Sequence, residues 1–197
     1  MGKIKYILFD VDGVLLHSPT WSSEFIEKNH LPSDIMSDFF TGVFKECIIG
    51  KADLKVILPS FLERWGYEKG VEAFLKEWFD FENSPDSELI EKIQERRKDG
   101  VKCFIATNQE KYRLNYMKKS MDFEKLFDGI FASCKIGYKK PQKEYYEYII
   151  SFFKVNPEEI LYFDDSLENV TVARSMGIET VLYKNIADFT QIHFSCI

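Results

Sequence analysis

Two aspartates in the segment FDVDGVL are the residues of this sequence best placed for chemistry on a ligand. Asp10 and Asp12 follow an apolar run, and in an open parallel sheet ligands bind beyond the carboxyl ends of the strands. Side chains two positions apart in an extended segment point to the same side, so both carboxylates are predicted to face one site. Gly13 permits a sharp turn and lets the backbone approach a ligand closely.

An ordinary strand end, with two solvated acids and a turn glycine, is the alternative interpretation of this segment. A calcium-binding EF-hand loop is excluded, because such a loop needs an oxygen ligand at its fifth position and Gly at its sixth. Counted from Asp10, the fifth position here is apolar and Gly13 occupies the fourth.

A second predicted strand end, in the segment FIATN, carries a hydroxyl and an amide. Thr107 and Asn108 are both good N-cap residues, so capping of a helix that begins near Gln109 would explain them without a ligand. Alternatively, the Thr107 hydroxyl and the free amides of a helix N-terminus hold an anion, because the partial positive charge there favours phosphate. Both interpretations stay open at this point.

The sequence Lys139-Lys140-Pro141 lies between a predicted strand and a predicted helix, with Pro141 expected at the first helical position. Lysines in surface loops are usually only solvated. A fixed cation at this place could instead neutralise both a carboxylate and a phosphoryl oxygen.

The segment FDDSLEN places Asp164 and Asp165 at a further strand end. Ser166 or Asp165 could cap the following helix, but two adjacent carboxylates then repel each other unless a cation is near. Mg²⁺ would relieve this repulsion, since it binds one or two carboxylates together with waters and a phosphate oxygen. Residues that can act on a ligand therefore occur in four separate segments, each next to a predicted strand, and this favours one common site.

The elements that would position these residues follow an α/β pattern, in which short apolar runs alternate with helical segments. Such alternation is typical of βαβ units and of a parallel sheet covered on both faces. The predicted strands lie within 3–11, 101–106, 129–131, 160–163 and 178–182. The predicted helices lie near 87–98, 109–119, 142–154, 167–176 and 186–191.

The stretch between the first two motifs is too long for a single crossover. It spans 94 residues between the second aspartate and the threonine, whereas a whole βαβ unit needs roughly 30. The helix near 87–98 already supplies the crossover, so about 17–85 is predicted to be an inserted helical module. This module contains Trp21, Trp65 and Trp78. The helical spacing of residues such as Phe74, Leu75 and Trp78 favours core packing over a ligand-binding box.

Composition narrows the range of partners. The chain has 197 residues, enough for one core with an insertion, and a net charge of -6 that disfavours nucleic acid and anionic membranes as partners. The four cysteines form no C-x-x-C pair, so we predict reduced cysteines rather than a zinc or redox site. Without a signal-like segment or a membrane-length apolar run, we expect a cytoplasmic protein.

Taken in order, the motif DxDGxL, the Thr-Asn, the Lys-Pro and the Asp-Asp-Ser resemble the four motifs of the haloacid dehalogenase superfamily of phosphatases. The likeness covers the whole chain, and the insert after the first motif resembles the helical cap of that family. The resemblance implies a Rossmann-like three-layer core formed by residues 1–16 and 86–197, with a small α-helical cap at 17–85.

The resemblance also implies roles for the motif residues. Asp10 would be the nucleophile that forms an aspartyl-phosphate, and Asp12 would act first as general acid and then as general base. Thr107 and Asn108 match the position that binds phosphoryl oxygens of the substrate. Lys140 matches the basic residue that orients the nucleophile and screens its charge.

The implied cofactor is Mg²⁺. Its ligands would be the carboxylates of Asp10 and Asp165 and the backbone carbonyl of Asp12. Two positions depart from the family pattern, because Asp164 replaces the usual Gly and Asn169 replaces the usual second acid. The resemblance leaves the roles of these two residues open.

The predicted function is therefore the Mg²⁺-dependent hydrolysis of a small phosphate monoester, such as a sugar phosphate or a similar phosphorylated metabolite. A phosphomutase with the same intermediate and a non-catalytic, phosphometabolite-binding regulatory protein stay open as alternatives. A hydrolytic dehalogenase is disfavoured, because a halide leaves without a proton and Asp12 would have little to do. The exact substrate, the oligomeric state and the choice of Lys140 over its neighbour Lys139 also stay open.

Overall fold

The computed structural model describes residues 4–192 and has a parallel sheet at its centre. The strands are β1 (Tyr6–Phe9), β2 (Lys102–Thr107), β3 (Gly129–Ala132), β4 (Ile160–Asp164) and β5 (Glu179–Leu182). They are arranged in the order β3-β2-β1-β4-β5, and neighbouring strands are parallel. The predicted α/β class is confirmed. Lys3, where the first apolar run begins, and Cys196 lie outside the described residues.

The central strand β1 is apolar along its length because helices cover the sheet on both faces. Ile7, Leu8 and Phe9 are completely buried. Successive side chains of a strand point to opposite faces, so Ile7 and Phe9 join one apolar cluster and Leu8 joins the other. A near-continuous apolar run is what a doubly covered parallel strand requires.

The helices are α1 (Trp21–Lys28), α2 (Phe44–Ile48), α3 (Leu54–Arg64), α4 (Gly70–Phe81), α5 (Ser87–Lys98), α6 (Lys111–Ser120), α7 (Phe123–Leu126), α8 (Ser133–Ile136), α9 (Lys143–Phe153), α10 (Leu167–Ser175) and α11 (Ala187–Thr190). A π-helical turn over Phe39–Val43 precedes α2, and a 3₁₀ turn over Pro157–Glu159 precedes β4. The five helices predicted from the sequence are present: α5 has the predicted bounds, and the bounds of the other four differ by one or two residues. Within residues 4–192, no helix has the length and apolar character needed to cross a membrane.

Helices on both faces of the sheet complete three layers. Side chains of α5, α6 and α11 pack on the face that holds Ile7 and Phe9. Side chains of α9 and α10 pack on the face that holds Leu8. The crossover helix α5 begins where predicted, because the Asp86 carboxylate accepts a hydrogen bond from the Leu89 amide at 2.9 Å.

Residues 17–85 hold α1 to α4 and share an apolar cluster separate from the two clusters on the sheet. Its aromatic residues include Trp21, Trp65 and Trp78, which are at most 7% exposed. The Trp21 ring lies 4.6 Å from the Phe74 ring and 5.7 Å from the Trp78 ring, measured between centroids. The interpretation of the aromatic spacing as packing is confirmed.

The two chain segments that connect this helical region to the sheet run side by side. The His17 amide donates to the Ser84 carbonyl at 3.1 Å, and the Asp86 amide donates to the Leu15 carbonyl at 2.9 Å. These backbone hydrogen bonds hold the helical region next to the end of β1, where the first two aspartates lie.

Candidate active site

The carboxyl ends of three strands meet at one edge of the sheet because β2 and β4 both pair with β1. Phe9, the last residue of β1, is in register with Ile105 of β2 and Phe163 of β4. The Asp10 amide extends the pairing with β4 by donating to the Phe163 carbonyl at 2.9 Å. The side chains that follow these strands therefore come from distant parts of the sequence to one place.

The first motif leaves the strand earlier than its sequence indicates. The chain turns after Asp10, because the Val11 carbonyl accepts hydrogen bonds from the amides of Leu15 at 2.8 Å and Leu16 at 2.9 Å. Gly13 lies in this turn with a φ of 85°, which favours glycine. The sequence predicts that the alternation of an extended strand positions Asp10 and Asp12. In the structure a turn positions them instead.

A buried lysine joins two carboxylates at the centre of the site. The Lys140 Nζ lies 2.7 Å from Asp10 Oδ1 and 2.7 Å from Asp164 Oδ2. Lys140 is 2% exposed, whereas its neighbour Lys139 is only half-buried. The ammonium that contacts Asp10 is thus that of Lys140.

The protonation states of this trio follow from burial and mutual attraction. Burial raises the pKa of Asp10 to about 8, although the Lys140 ammonium opposes this effect. Burial alone would lower the pKa of Lys140, but the carboxylates of Asp10 and Asp164 raise it above its ordinary value. The shift favours the ammonium form of Lys140, which can therefore act as the counter-ion of the buried acids.

Asp164 is the acceptor that holds this lysine in place. Its carboxylate accepts hydrogen bonds from the Ser166 amide at 2.8 Å, from Asn169 Nδ2 at 3.0 Å and from the Tyr162 hydroxyl. Burial would raise the pKa of Asp164, but Lys140, the Tyr162 hydroxyl and the Ser166 amide lower it. The two residues that depart from the family pattern, Asp164 and Asn169, are thus hydrogen-bonded to each other.

Asn108 lies in the site, but its side chain binds the protein backbone. Its Nδ2 donates to the Lys140 carbonyl at 3.0 Å, and its Oδ1 accepts from the Lys140 amide at 2.9 Å. This reciprocal pair fixes the loop that carries Lys140. The peptide bond from Lys140 to Pro141 is cis, and α9 begins at Lys143, so Pro141 does not occupy the predicted first helical position.

Capping does not explain Thr107 and Asn108, because Glu110 caps the helix that follows. The Glu110 carboxylate accepts from the amides of Tyr112 and Arg113, and α6 starts at Lys111. The Thr107 hydroxyl is buried and has no hydrogen-bond partner within residues 4–192. A buried hydroxyl without a partner is costly, so a ligand that accepts its hydrogen bond would be stabilising.

Asp165 gives the site an exposed carboxylate. Ser166, not Asp165, caps α10, by accepting from the Asn169 amide at 3.5 Å. Partial burial is the main reason that the pKa of Asp165 is raised, and the nearby charge of Asp164 raises it further. A Cβ atom on Gly13 would lie 2.1 Å from Asp165 Oδ2, so only glycine leaves room for this carboxylate.

The donor set fits a hard divalent cation. Carboxylate oxygens of Asp10, Asp164 and Asp165 all lie within 4.8 Å of one another. Asp164 is already satisfied by Lys140 and its other donors, so Asp10 and Asp165 have free oxygens for an ion. Carboxylate oxygens in this number suit Mg²⁺.

Gln109 is a site residue that the sequence analysis missed. Its Nε2 donates to Asp12 Oδ2 at 2.6 Å, and Gln109 is only 8% exposed, whereas Asp12 is exposed. The only signal in the sequence was its position directly after Asn108, because its partner is 97 residues away. Tyr162 was also missed, although it lies two positions before Asp164 and therefore on the same side of β4.

A small cavity of about 130 Å³ lies beside Asp12. Aromatic rings and Glu82 from the inserted helical region form one side of it, and residues that follow β2 form the other. Among the described residues, the arrangement therefore combines a buried acid beside a fixed cation, a hydroxyl without a partner, acidic oxygens that suit a divalent ion, and a small cavity next to an exposed acid.

Comparisons with known proteins agree with this geometry. The family model described as haloacid dehalogenase-like hydrolase matches residues 4–177. D-ribitol-5-phosphate phosphatase from Bacteroides thetaiotaomicron is 25% identical over 198 residues, which cover 95% of this chain and 96% of that protein. A phosphorylated carbohydrates phosphatase from Thermotoga maritima is 24% identical over 182 residues, which cover 89% of this chain and 82% of that protein.

A solved structure shares the fold. It is a haloacid dehalogenase family enzyme from Bacteroides thetaiotaomicron in complex with magnesium and inorganic phosphate. The TM-score is 0.78 at 20% sequence identity, and the match covers 92% of this chain and 94% of that one. This likeness extends to the inserted helices as well as to the sheet, since nearly the whole of both chains is matched.

Proposed function

The chain belongs to the haloacid dehalogenase-like hydrolase family, and from this membership we propose that it is a phosphatase that releases inorganic phosphate from a small phosphate monoester. The observation that carries the proposal is the buried Lys140 ammonium between Asp10 and Asp164, together with the buried Thr107 hydroxyl that has no partner among the described residues. The two full-length relatives described above are both phosphatases of phosphorylated carbohydrates, which supports the same class of substrate.

In the first proposed step, a carboxylate oxygen of Asp10 attacks phosphorus and the bond between phosphorus and the ester oxygen breaks. Asp12 donates its proton to the departing alkoxide, and an aspartyl-phosphate remains on Asp10. Asp12 then removes a proton from water, whose oxygen attacks phosphorus, and the bond to Asp10 breaks to release phosphate. Dividing the reaction into two displacements lowers the barrier of each, and acid–base assistance contributes ~10²–10⁴ in rate.

The surrounding residues bind and orient the phosphoryl group in this proposal. The Thr107 hydroxyl donates to a phosphoryl oxygen, and Lys140 holds Asp10 in position while neutralising charge. Asn108 acts through the backbone of Lys140, which its side chain fixes, and through its own amide. The domain division belongs to the same proposal: residues 1–16 and 86–197 form the hydrolase core, and 17–85 form a cap over it.

Mg²⁺ would be held by the carboxylates of Asp10 and Asp165 and by the backbone carbonyl of Asp12. When bound, the ion neutralises phosphoryl charge and favours the in-line arrangement of the attacking and leaving oxygens. Asp164 is assigned to Lys140 instead, because its carboxylate is already saturated by hydrogen bonds.

Removal of the metal should abolish activity. We expect EDTA to reduce phosphate release to background and added Mg²⁺ to restore it. Asp165→Asn should raise the Mg²⁺ concentration for half-maximal activity by at least about 10-fold, since the variant loses a charged ligand. Glu168→Gln is the matched control, because Glu168 is an exposed acid in the same segment. Equal Mg²⁺ dependence of the two variants would contradict the ligand assignment.

Replacing Gln109 should impair the step that depends on Asp12. We expect Gln109→Ala to lower kcat/KM about 10-fold for an alkyl phosphate, whose alkoxide must be protonated, because Asp12 loses the donor that positions it. The kcat/KM for p-nitrophenyl phosphate, whose leaving group needs no proton, should change little, because this ratio reflects transfer of the phosphoryl group to Asp10 and not the later step in which Asp12 acts as base. Asp12→Asn should show the same dependence on the leaving group, with a larger effect. A uniform loss with both esters would indicate a purely structural role for Gln109.

The function itself is tested with a panel of sugar, polyol and nucleoside monophosphates in the presence of Mg²⁺. We expect free phosphate from at least one small ester. Formation of an isomerised sugar phosphate without free phosphate would identify a phosphomutase. Metal-independent binding of a phosphorylated metabolite without turnover of any ester would identify a regulatory protein.

The cytoplasmic location remains a prediction from the sequence.

A further inference from the structure

The cavity beside Asp12 is where the alcohol part of a substrate would have to lie, because Asp12 is the proposed acid for the leaving oxygen. Phe44, Trp78 and Phe79 contribute the aromatic part of its wall. Its volume of about 130 Å³ is equivalent to roughly four water molecules and falls below the ~300–1,000 Å³ of sites for drug-sized ligands. The space suits a short carbon chain rather than a nucleoside.

The charges that line this cavity are mainly negative. The residues of its wall include three acids, Asp12, Glu82 and Glu110, and one base, Arg113. Arg113 is 3% exposed and two of its donors are engaged by the backbone, because Nη1 donates to the Phe79 carbonyl at 2.9 Å and Nη2 to the Glu82 carbonyl at 3.1 Å. A second anionic group on a ligand would therefore meet mainly acids, since the one basic residue of the described wall is buried and already engaged.

Glu82 is the acid that the inserted helical region contributes to this wall, and its position is fixed. Its Oε1 accepts from the Trp21 amide at 3.1 Å, and its Oε2 lies 3.7 Å from Arg113 Nη2. Both carboxylate oxygens keep lone pairs that can accept from hydroxyl groups. The aromatic rings of the same wall can pack against the C–H groups of a carbon chain.

We propose that Glu82 selects a small, uncharged polyhydroxy alcohol as the leaving group and rejects alcohols that carry a carboxylate or a second phosphate. The inference rests on the proposed phosphatase function and adds the chemical class of the substrate. Hydroxyl groups of the alcohol donate to Glu82 while its carbon chain packs on the rings. Like charges brought together at such a contact oppose binding strongly.

Two pairs of esters test the effect of charge at nearly constant shape. Glycerol 3-phosphate ends in a hydroxymethyl group where 3-phosphoglycerate ends in a carboxylate, and ribitol 5-phosphate and 5-phosphoribonate repeat the comparison with five carbons. We expect the protein with Mg²⁺ to hydrolyse the ester without a carboxylate, in at least one pair, with a kcat/KM about 100-fold higher than that for the ester with a carboxylate.

Glu82→Gln should lower this ratio at least about 10-fold, mainly by raising kcat/KM for the carboxylate-bearing ester. The variant keeps the size of the side chain and an oxygen that can accept from the Trp21 amide. Glu63→Gln is the control, because Glu63 is an exposed residue of α3 outside the cavity and its replacement removes the same charge. The control should leave the ratio unchanged.

The outcomes separate this inference from the function on which it rests. Hydrolysis of both members of a pair at similar rates, or an equal ratio in Glu82→Gln and in the unaltered protein, would overturn the role of Glu82 and leave the phosphatase intact. Turnover restricted to esters with a second anionic group would also overturn it. Failure to release phosphate from any ester of the wider panel would overturn the proposed function itself.

Discussion

Asp10→Asn is expected to lower kcat for phosphate-ester hydrolysis by about 10⁴-fold or more, to the background of the assay. An amide lacks the negative charge of the nucleophile and cannot form the acyl phosphate. The substitution preserves the shape of the side chain, and its oxygen can still accept from Lys140 Nζ, so the protein should remain folded. Phosphate release at saturating substrate and Mg²⁺ is the measurement.

Covalent labelling gives a second measurement that separates loss of the nucleophile from loss of substrate binding. Acid quenching during turnover of a ³²P-labelled ester should leave label on the unaltered protein and none on Asp10→Asn. Asp99→Asn, at an exposed position after α5, removes the same charge elsewhere and should keep full activity. More than a tenth of the original rate in Asp10→Asn would mean that another group attacks phosphorus.

Lys140→Met should cost both activity and stability. The substitution leaves the buried carboxylates of Asp10 and Asp164 next to each other without their shared cation. Removing one partner of a buried ion pair typically destabilises a protein by about 3–5 kcal/mol, because the remaining charge is uncompensated. We therefore expect the free energy of unfolding in urea to fall by about 3 kcal/mol or more, and kcat to fall by at least about 10²-fold.

The neighbouring lysine provides the control for this prediction. Lys139→Met removes the same charge one position earlier, where the side chain is only half-buried and lies outside the cluster of carboxylates. Its effect on the free energy of unfolding should stay within about 0.5 kcal/mol, as is usual for surface substitutions. Similar losses for both variants would show that the loop, and not the ammonium of Lys140, is what matters.

Several properties of this protein could be predicted from local patterns in the sequence. Apolar runs of strand length and helical periodicity between them determine the α/β class, because each pattern reflects the repeat of the backbone itself. The same holds for the helix from Ser87, whose capping by Asp86 depends only on residues three positions apart. The excess length after Asp12 indicated an insertion, since no single crossover needs so many residues.

Where local patterns offered two interpretations, the tertiary structure distinguished them. Thr107 could have been a capping residue, but Glu110 binds the free amides of α6 and leaves the Thr107 hydroxyl buried without a partner among residues 4–192. Two adjacent lysines look alike in sequence, but only Lys140 reaches both Asp10 and Asp164. Both decisions depend on burial, which spacing along the chain does not report.

The sequence by itself determined the fold class and the positions, at strand ends or between predicted elements, at which acids, a hydroxyl and a lysine occur. Only the tertiary structure decided their partners, such as the contact of Gln109 with Asp12 or of Asn108 with the Lys140 backbone. The physical reason is range: periodicity and capping act over a few residues, whereas these contacts join positions 97 and 32 residues apart. Such contacts form only when packing of the sheet and helices brings the strand ends together.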